Sequence, residues 1–179
     1  MDVDMMHSQD MEYGLAYLEQ AKLLELDYRG DDLKMVVILP NEDSSVAEIE
    51  SQLDMETLRE WQEKVHLQSE ELVFPKLEIR TKKTLNEGLI KLGMEKAFGS
   101  SADFSGITSD AFLFIETVIH EAWVKIDEGG TEAAAATGVS MATESMPMII
   151  EVNRPFVFLV QDRLTESVLF YGRVMNPAE

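Results

Sequence analysis

The amino-acid sequence predicts an α+β fold with several strands and two or three helices. Three observations predict it. Apolar runs rich in strand formers stand at Leu33–Pro40, Phe156–Val160 and Val168–Tyr171. Two stretches, beginning at Ser45 and Thr84, carry capping patterns followed by apolar residues at helical spacing. The chain has 179 residues, 45% of them hydrophobic, which is enough apolar material for one globular core.

Leu23–Tyr28 and Leu33–Pro40 read as a hairpin with one strand well buried, because Arg29-Gly30-Asp31-Asp32 between them has turn composition. Arg29-Gly30-Asp31 also spells an integrin-type tripeptide, and is read here as that hairpin turn. Ser45-Val46-Ala47-Glu48 is a capping box, and Val46, Ile49 and Leu53 give the helix after it an apolar face. A second short helix is predicted over Glu56–Val65, with Leu58, Trp61 and Val65 on one side. Leu72–Ile79 returns to strand character, interrupted by Pro75. Thr84-Leu85-Asn86-Glu87 is another capping box; Leu85, Leu89 and Leu92 follow at helical spacing, and Gly93 can end the helix. Gly99–Ser109 is small and polar, a connecting loop. Phe112–Ile126 is long and apolar and is predicted to be a central strand of a sheet. Phe156–Val160 and Val168–Tyr171 close the chain as two strands joined by the polar turn Gln161–Ser167. No internal repeat is present.

Composition excludes several function classes. The net charge is -19, with acidic residues spread along the whole chain. Such a surface repels phosphate backbones, so nucleic acid is not an expected partner. No apolar run reaches the ~18 residues of a membrane span, so no membrane partner is expected either. The start, Met1-Asp2-Val3-Asp4, lacks the basic and apolar regions of a signal peptide. Cysteine is absent, so no disulfide, thiol nucleophile or thiolate metal site is available and the redox compartment stays open. His7, His66 and His120 are the only histidines and stand far apart, which argues against zinc. No G-x-S-x-G, P-loop or dinucleotide fingerprint occurs. No cofactor is expected.

The segment Asp127–Ile150 has no periodic apolar face. It holds two successive glycines, four successive alanines, Thr137-Gly138 and then Met-rich sequence near Pro147. Alanine is the best helix former, so Ala133–Ala136 read alone suits a helix as well as a loop. A loop longer than about 15 residues in a compact domain is usually functional or disordered.

Residues along the whole chain resemble, in order and with matching spacing, those of the serpin family. Glu128-Gly129-Gly130-Thr131-Glu132-Ala133-Ala134-Ala135-Ala136-Thr137 is similar to the hinge of inhibitory serpins. Asn153-Arg154-Pro155-Phe156-Val157-Phe158 resembles the strand after their reactive loop. Phe170-Tyr171-Gly172-Arg173-Val174 with Asn176-Pro177 resembles their last strand and terminus. Val3-Asp4-Met5-Met6, Leu33–Pro40, Phe74-Pro75-Lys76-Leu77 and Asp103-Phe104-Ser105-Gly106-Ile107 match as well.

The resemblance implies the C-terminal portion of a single serpin domain over 1–179, comprising sheets B and C, part of sheet A, and a hinge and reactive-centre loop over 128–150. It implies a serine protease inhibitor, not an enzyme. The target's serine would attack the loop and form a covalent acyl complex, and the loop would then enter sheet A as a new strand. The hinge composition suits that fate. Ala and Thr are small enough to pass into a tight interior, whereas a proline would remove a ladder hydrogen bond and a buried charge would be costly. Gly129 and Gly130 let the backbone pivot. Glu132 points outward if Thr131 points inward. By family spacing the cleaved bond is Glu144–Ser145, whether counted from Glu128 or back from Asn153. A glutamate there implies a protease with a basic specificity pocket; bonds after Met141, Thr143 or Met146 are the alternatives. His120 matches the shutter histidine that latches sheet A, and a lone histidine in an apolar run also reads as a core residue. Lys76 and Glu128 match a breach pair.

Family members are about twice this length. The resemblance therefore places the helices of the N-terminal half, and strands one to three of sheet A, outside this chain, which begins within sheet C. The exposed edge of sheet A is expected to drive self-association. An extracellular rather than cytoplasmic setting is expected. Two further readings stand beside inhibition: a non-inhibitory carrier or binding protein on the same scaffold, which bulky or charged hinge residues would have signalled, and a truncated inactive chain.

Overall fold

The computed structural model describes residues 3–8, 12–69, 71–108, 112–127 and 149–176. The chain divides into two units, Met1–Leu77 with Ile126–Glu179, and Glu78–Lys125.

The first unit is built on a six-stranded sheet. Its strands are β2 (Tyr13–Tyr17), β3 (Ala21–Asp27), β4 (Leu33–Pro40), β5 (His66–Gln68), β10 (Phe156–Asp162) and β11 (Val168–Val174), in the order β11-β10-β4-β3-β2-β5. The predicted hairpin is present as β3 and β4, paired from Ala21 with Pro40 to Asp27 with Lys34. β4 and β10 are the central pair, in antiparallel register from Val157 with Ile38 to Asp162 with Leu33. Val36, Val37, Ile38 and Leu39 are all fully buried and their neighbours in β10 are buried, so side chains on both sheet faces leave water. That is why these strands read as continuous apolar runs rather than as alternating ones.

One face of this sheet is covered by α1 (Val46–Gln52) and α2 (Met55–Gln62). Val46, Ile49 and Leu58 pack with Ala16, Leu23, Val36, Ile38, Val157 and Leu159. The capping box is formed: the Glu48 amide donates to Ser45 Oγ at 3.2 Å and the Ser45 amide donates to Glu48 at 2.7 Å. The Ser45 hydroxyl also donates to Glu48 at 2.8 Å, and this bond, followed by that from the Ser45 amide, holds the Glu48 carboxyl below its ordinary range. Asp54 caps α2 by accepting from the Thr57 amide at 2.8 Å. α2 stops at Gln62 rather than running to Val65.

A three-stranded sheet stands beside it in the same unit, ordered β1 (Met5–Ser8), β6 (Glu71–Pro75), β9 (Ile149–Glu151). β1 is antiparallel and β9 parallel to β6. Phe74 of β6 meets Phe156 of β10 edge-on, with ring centroids 5.6 Å apart. The sequence reading missed β1, β2, β5 and β9.

The second unit holds a two-stranded ribbon of β7 (Leu77–Thr84) and β8 (Ile119–Ile126). The interruption at Pro75 is real: β6 and β7 belong to different sheets, with Lys76 between them. Three expectations fail here. Thr84 does not cap a helix. It is the last residue of β7, and α3 (Asn86–Leu89) starts behind Leu85 without a side-chain cap. Asn86 instead brackets a distant segment, donating to the Glu116 carbonyl and accepting from the Val118 amide, each at 2.8 Å. The strand expected over Phe112–Ile126 begins only at Ile119, because the backbone before it is engaged elsewhere: Ile115 donates to Ala97, and 116 and 118 are held by Asn86. Among the described residues β8 pairs with β7 alone, so it is an edge strand rather than a central one. Gly93 does end the regular helical path, with φ at 101°, and one 3-10 turn, Glu95–Phe98, follows.

No helix among the described residues is long and apolar enough to cross a membrane.

Candidate functional site

The site predicted from the sequence is the segment between β8 and β9. Its residues Glu128, Gly129, Gly130, Thr131, Glu132, Ala133, Ala134, Ala135, Ala136 and Thr137, the bond Glu144–Ser145, and the alternatives Met141, Thr143 and Met146 lie outside the described residues. The two stems that bear this segment are described, and each is fixed by different chemistry.

The upstream stem is β8. Its first three side chains are exposed and the next four alternate between half-buried and exposed until Ile126, which is buried. Trp123 ties it to β7: the indole N–H donates to Glu78 at 3.0 Å, and the Arg80 guanidinium lies 5.5 Å from the ring centre. Arg80 also pairs with Glu78 at 3.4 Å. A cation over an exposed indole contributes about 0.5–1 kcal/mol, so this cluster adds to the strand pairing without dominating it. His120 sits near the start of β8 and is exposed in this chain. The reading of His120 as a core residue is corrected by that exposure: it stands on a two-stranded ribbon, where an apolar neighbourhood in sequence does not become one in space.

The downstream stem is β9. Ile149 and Glu151 point to water while Ile150 is fully buried, the two-residue period of a half-covered strand. The Val152 amide continues the contact by donating to the Val73 carbonyl at 2.9 Å, and Val152 is buried as well. Arg154 then reaches the end of β4, donating from Nε to the Pro40 carbonyl at 2.7 Å. Pro155 follows, and β10 begins at Phe156 inside the core. Nothing in the sequence reading marked Ile150 or Arg154 as anchors. The sequence Ile149-Ile150-Glu151 does not alternate in polarity, and three residues are too few for a strand period to be read with weight.

Lys76 donates its backbone N–H to the Asp4 carbonyl at 2.9 Å, between β6 and β7. Its expected breach partner Glu128 lies outside the described residues. Among the described residues no group of three His, Cys, Asp or Glu side chains is placed to hold a metal ion. A further charged cluster is exposed: Tyr171 of β11 donates its hydroxyl to Glu50 of α1 at 2.8 Å, and Arg173 donates to the same carboxylate at 3.1 Å. Burial, followed by the Glu50 bond, pushes the Tyr171 hydroxyl up to about 12. It is a tie between α1 and the edge of the sheet.

Comparison with known proteins agrees with this architecture. A family model described as Serpin (serine protease inhibitor) matches residues 1–177. A serine protease inhibitor of Cyanea capillata is 33% identical over 177 residues, covering 97% of this chain and 47% of that protein. Serpin B4 of Homo sapiens is 38% identical over 172 residues, covering 92% of this chain and 44% of that protein. A solved structure of thyroxine-binding globulin in complex with thyroxine superimposes with a TM-score of 0.84 at 34% identity, covering 99% of this chain and 47% of that one. The chain spans less than half the length of these relatives.

Proposed function

The chain belongs to the serpin family, with the fold of its C-terminal portion, and on that premise we propose that its full-length form is a serine protease inhibitor acting by suicide-substrate trapping. The segment 128–150 is the hinge and reactive-centre loop. The target's serine attacks the carbonyl of Glu144, the bond to Ser145 breaks, and an acyl-enzyme forms. The loop then inserts into sheet A beside β8 and carries the protease with it. Extended at ~3.3 Å per residue, Thr131 to Glu144 spans roughly 45 Å, about the height of a domain. The inhibitor is consumed, so it is not an enzyme. His120 serves the shutter and Lys76 with Glu128 the breach.

The observation that carries the proposal is the run Gly129–Thr137, in which every residue but Glu132 is glycine, alanine or threonine. Such a run is chemically suited to burial as a strand, and nothing about mere exposure would require it. The test is incubation of the full-length form with a panel of serine proteases and a denaturing gel. A high-mass band that survives denaturation is expected. Loop cleavage without such a band, across the panel, overturns the proposal.

A carrier role is the second reading, favoured by the likeness to thyroxine-binding globulin. The same gel separates the two, since a carrier forms no acyl complex. The proposal takes an extracellular setting, checked by assaying the medium of cells expressing the full-length form. It also takes self-association of the isolated chain through β8, whose second edge is unpaired among the described residues. Light scattering on the purified chain tests that.

A further inference from the structure

Arg154 stands where the chain passes from the three-stranded sheet to the six-stranded one, and its side chain reaches a strand to which its own backbone is not paired. Its Nε donates to the Pro40 carbonyl at 2.7 Å, and its Nη1 to Asn153 Oδ1 at 3.4 Å. Pro40 is itself fixed. It ends β4 opposite Ala21 of β3. The next residue, Asn41, donates its backbone N–H to the Gln20 carbonyl at 2.8 Å and its side-chain amide to the Glu19 carbonyl at 3.0 Å. A braced corner of the sheet thus presents the acceptor to Arg154. Pro155 follows, and a proline restricts the residue before it to extended backbone.

β9 depends on such a hold. It pairs with β6 over Ile149, Ile150 and Glu151 only, and among the described residues its other edge is unpaired. Of these three side chains Ile150 alone is buried. Elements with so few buried contacts are the ones that open locally. A bond from a guanidinium is charge-assisted and about twice as strong as a neutral one, so the hook at Arg154 is large beside a ladder this short.

The consequence lies upstream. Only Met146-Pro147-Met148 separate Ser145 from Ile149, whereas the stretch 127–143 separates Glu144 from Ile126. At ~3.5 Å per residue Ser145 lies within about 14 Å of Ile149, so the downstream stem is the one that limits where the bond Glu144–Ser145 is offered. With β9 detached the nearest buried anchor is Phe156, and that reach grows to roughly 40 Å.

We propose that Arg154 is a positioning residue: by holding β9 on β6 it sets the downstream limit of the stretch a protease can engage, and with it the placement of the bait bond. The identity of that bond rests on the inhibitory reading; the hold on β9 does not.

The test is a cleavage map of the native 179-residue chain with a glutamate-specific endoprotease, read by mass spectrometry. Two bonds are compared. Glu151–Val152 lies in the stem, and Glu48–Ile49 lies in α1, where Ile49 is buried. In the wild type both should resist. In Arg154→Ala, loss of a bond to a charged group should raise cleavage at Glu151–Val152 at least ~tenfold, with Glu48–Ile49 unchanged. Arg154→Lys, whose ammonium can donate to the same carbonyl, should restore most of the protection. Ready cleavage at Glu151–Val152 in the wild type, or equal resistance in Arg154→Ala, overturns the proposal. So does a rise at both bonds together, which would mark a loss of global stability, or an Arg154→Lys chain as open as Arg154→Ala. Inhibition is read separately, on the denaturing gel with the full-length form, so either reading can fail while the other stands.

Discussion

The side-chain carbonyl of Gln161 accepts a hydrogen bond from the Gln62 side-chain amide at 2.9 Å, and Gln161 is 1% exposed. Its own amide donates to the Glu166 carbonyl at 3.0 Å. One buried polar residue thus joins the last turn of α2 to the connection between β10 and β11, at the point where their register shifts. Gln62 also donates to Glu25 at 2.7 Å, and Lys34 pairs with that same carboxylate at 2.6 Å. Gln161→Leu keeps the volume but leaves the Glu166 carbonyl and the Gln62 amide without these partners. A loss of about 1–3 kcal/mol is expected. Urea unfolding of the purified chain measures it as a lower midpoint with an unchanged slope.

Gly172 lies opposite Phe158 in the β10–β11 pair. A Cβ at Gly172 would come within 2.5 Å of Phe158 Cε1 and 2.6 Å of Cζ, so the ring lies over the bare backbone. Gly172→Ala should therefore cost about 1–3 kcal/mol through overpacking. In Phe158→Leu the ring is gone, and adding Gly172→Ala to that variant should cost measurably less than it does alone. Equal costs in both backgrounds would refute the assignment of the strain to the ring.

Ser45→Ala removes the acceptor for the Glu48 amide and should cost about 0.5–2 kcal/mol at neutral pH. The pH dependence follows in sign. The Glu48 carboxyl is held below its ordinary value of 4.5 in the folded chain, so its contribution is present above that value and is lost as pH falls through the depressed folded value. The difference in urea midpoint between wild type and Ser45→Ala should therefore shrink on acidification below that window. A difference that stays constant to the lowest pH at which both fold would mean that Glu48 takes no part.

Thr131→Arg in the full-length form should convert inhibitor to substrate. Insertion would then require burying a charge, which is slow and costly, while attack on the Glu144–Ser145 bond is untouched. Cleavage should continue as the covalent band falls, read on one gel. Unchanged trapping stoichiometry would sink the account of the hinge.

The parts of this fold legible in the sequence are those whose burial is two-sided or whose ends carry a cap. β4 and β10 announce themselves as unbroken apolar runs because both faces are buried, and α1 because Ser45 and Glu48 bond each other. The parts missed are short or one-sided. β5 and β9 have three residues each. β7 presents Leu77, Ile79 and Thr81 between charged residues, and only its first part was read as strand. Thr84 shows how a correct local pattern loses to pairing: the residue that would cap a helix is used by the ribbon. Phe112–Val118 shows the converse, an apolar run with strand composition whose backbone is bound by Asn86 and Ala97 instead. The downstream anchor of the candidate segment, Ile150 with Arg154, became visible only with the neighbours in place.

β10 runs between β4 and β11, and β9 is laddered to β6, so the polypeptide from Ile149 onward is woven through the rest rather than hung from it. A single scission between Ile126 and Ile149 would sever the backbone without releasing either piece. The product is a nicked particle, Ser145–Glu179 when the cut falls after Glu144, locked into its companion by ladder hydrogen bonds and by Phe156, Val157 and Leu159. Gel filtration in native buffer should elute such a molecule as intact, and only denaturant should reveal that it has become two chains.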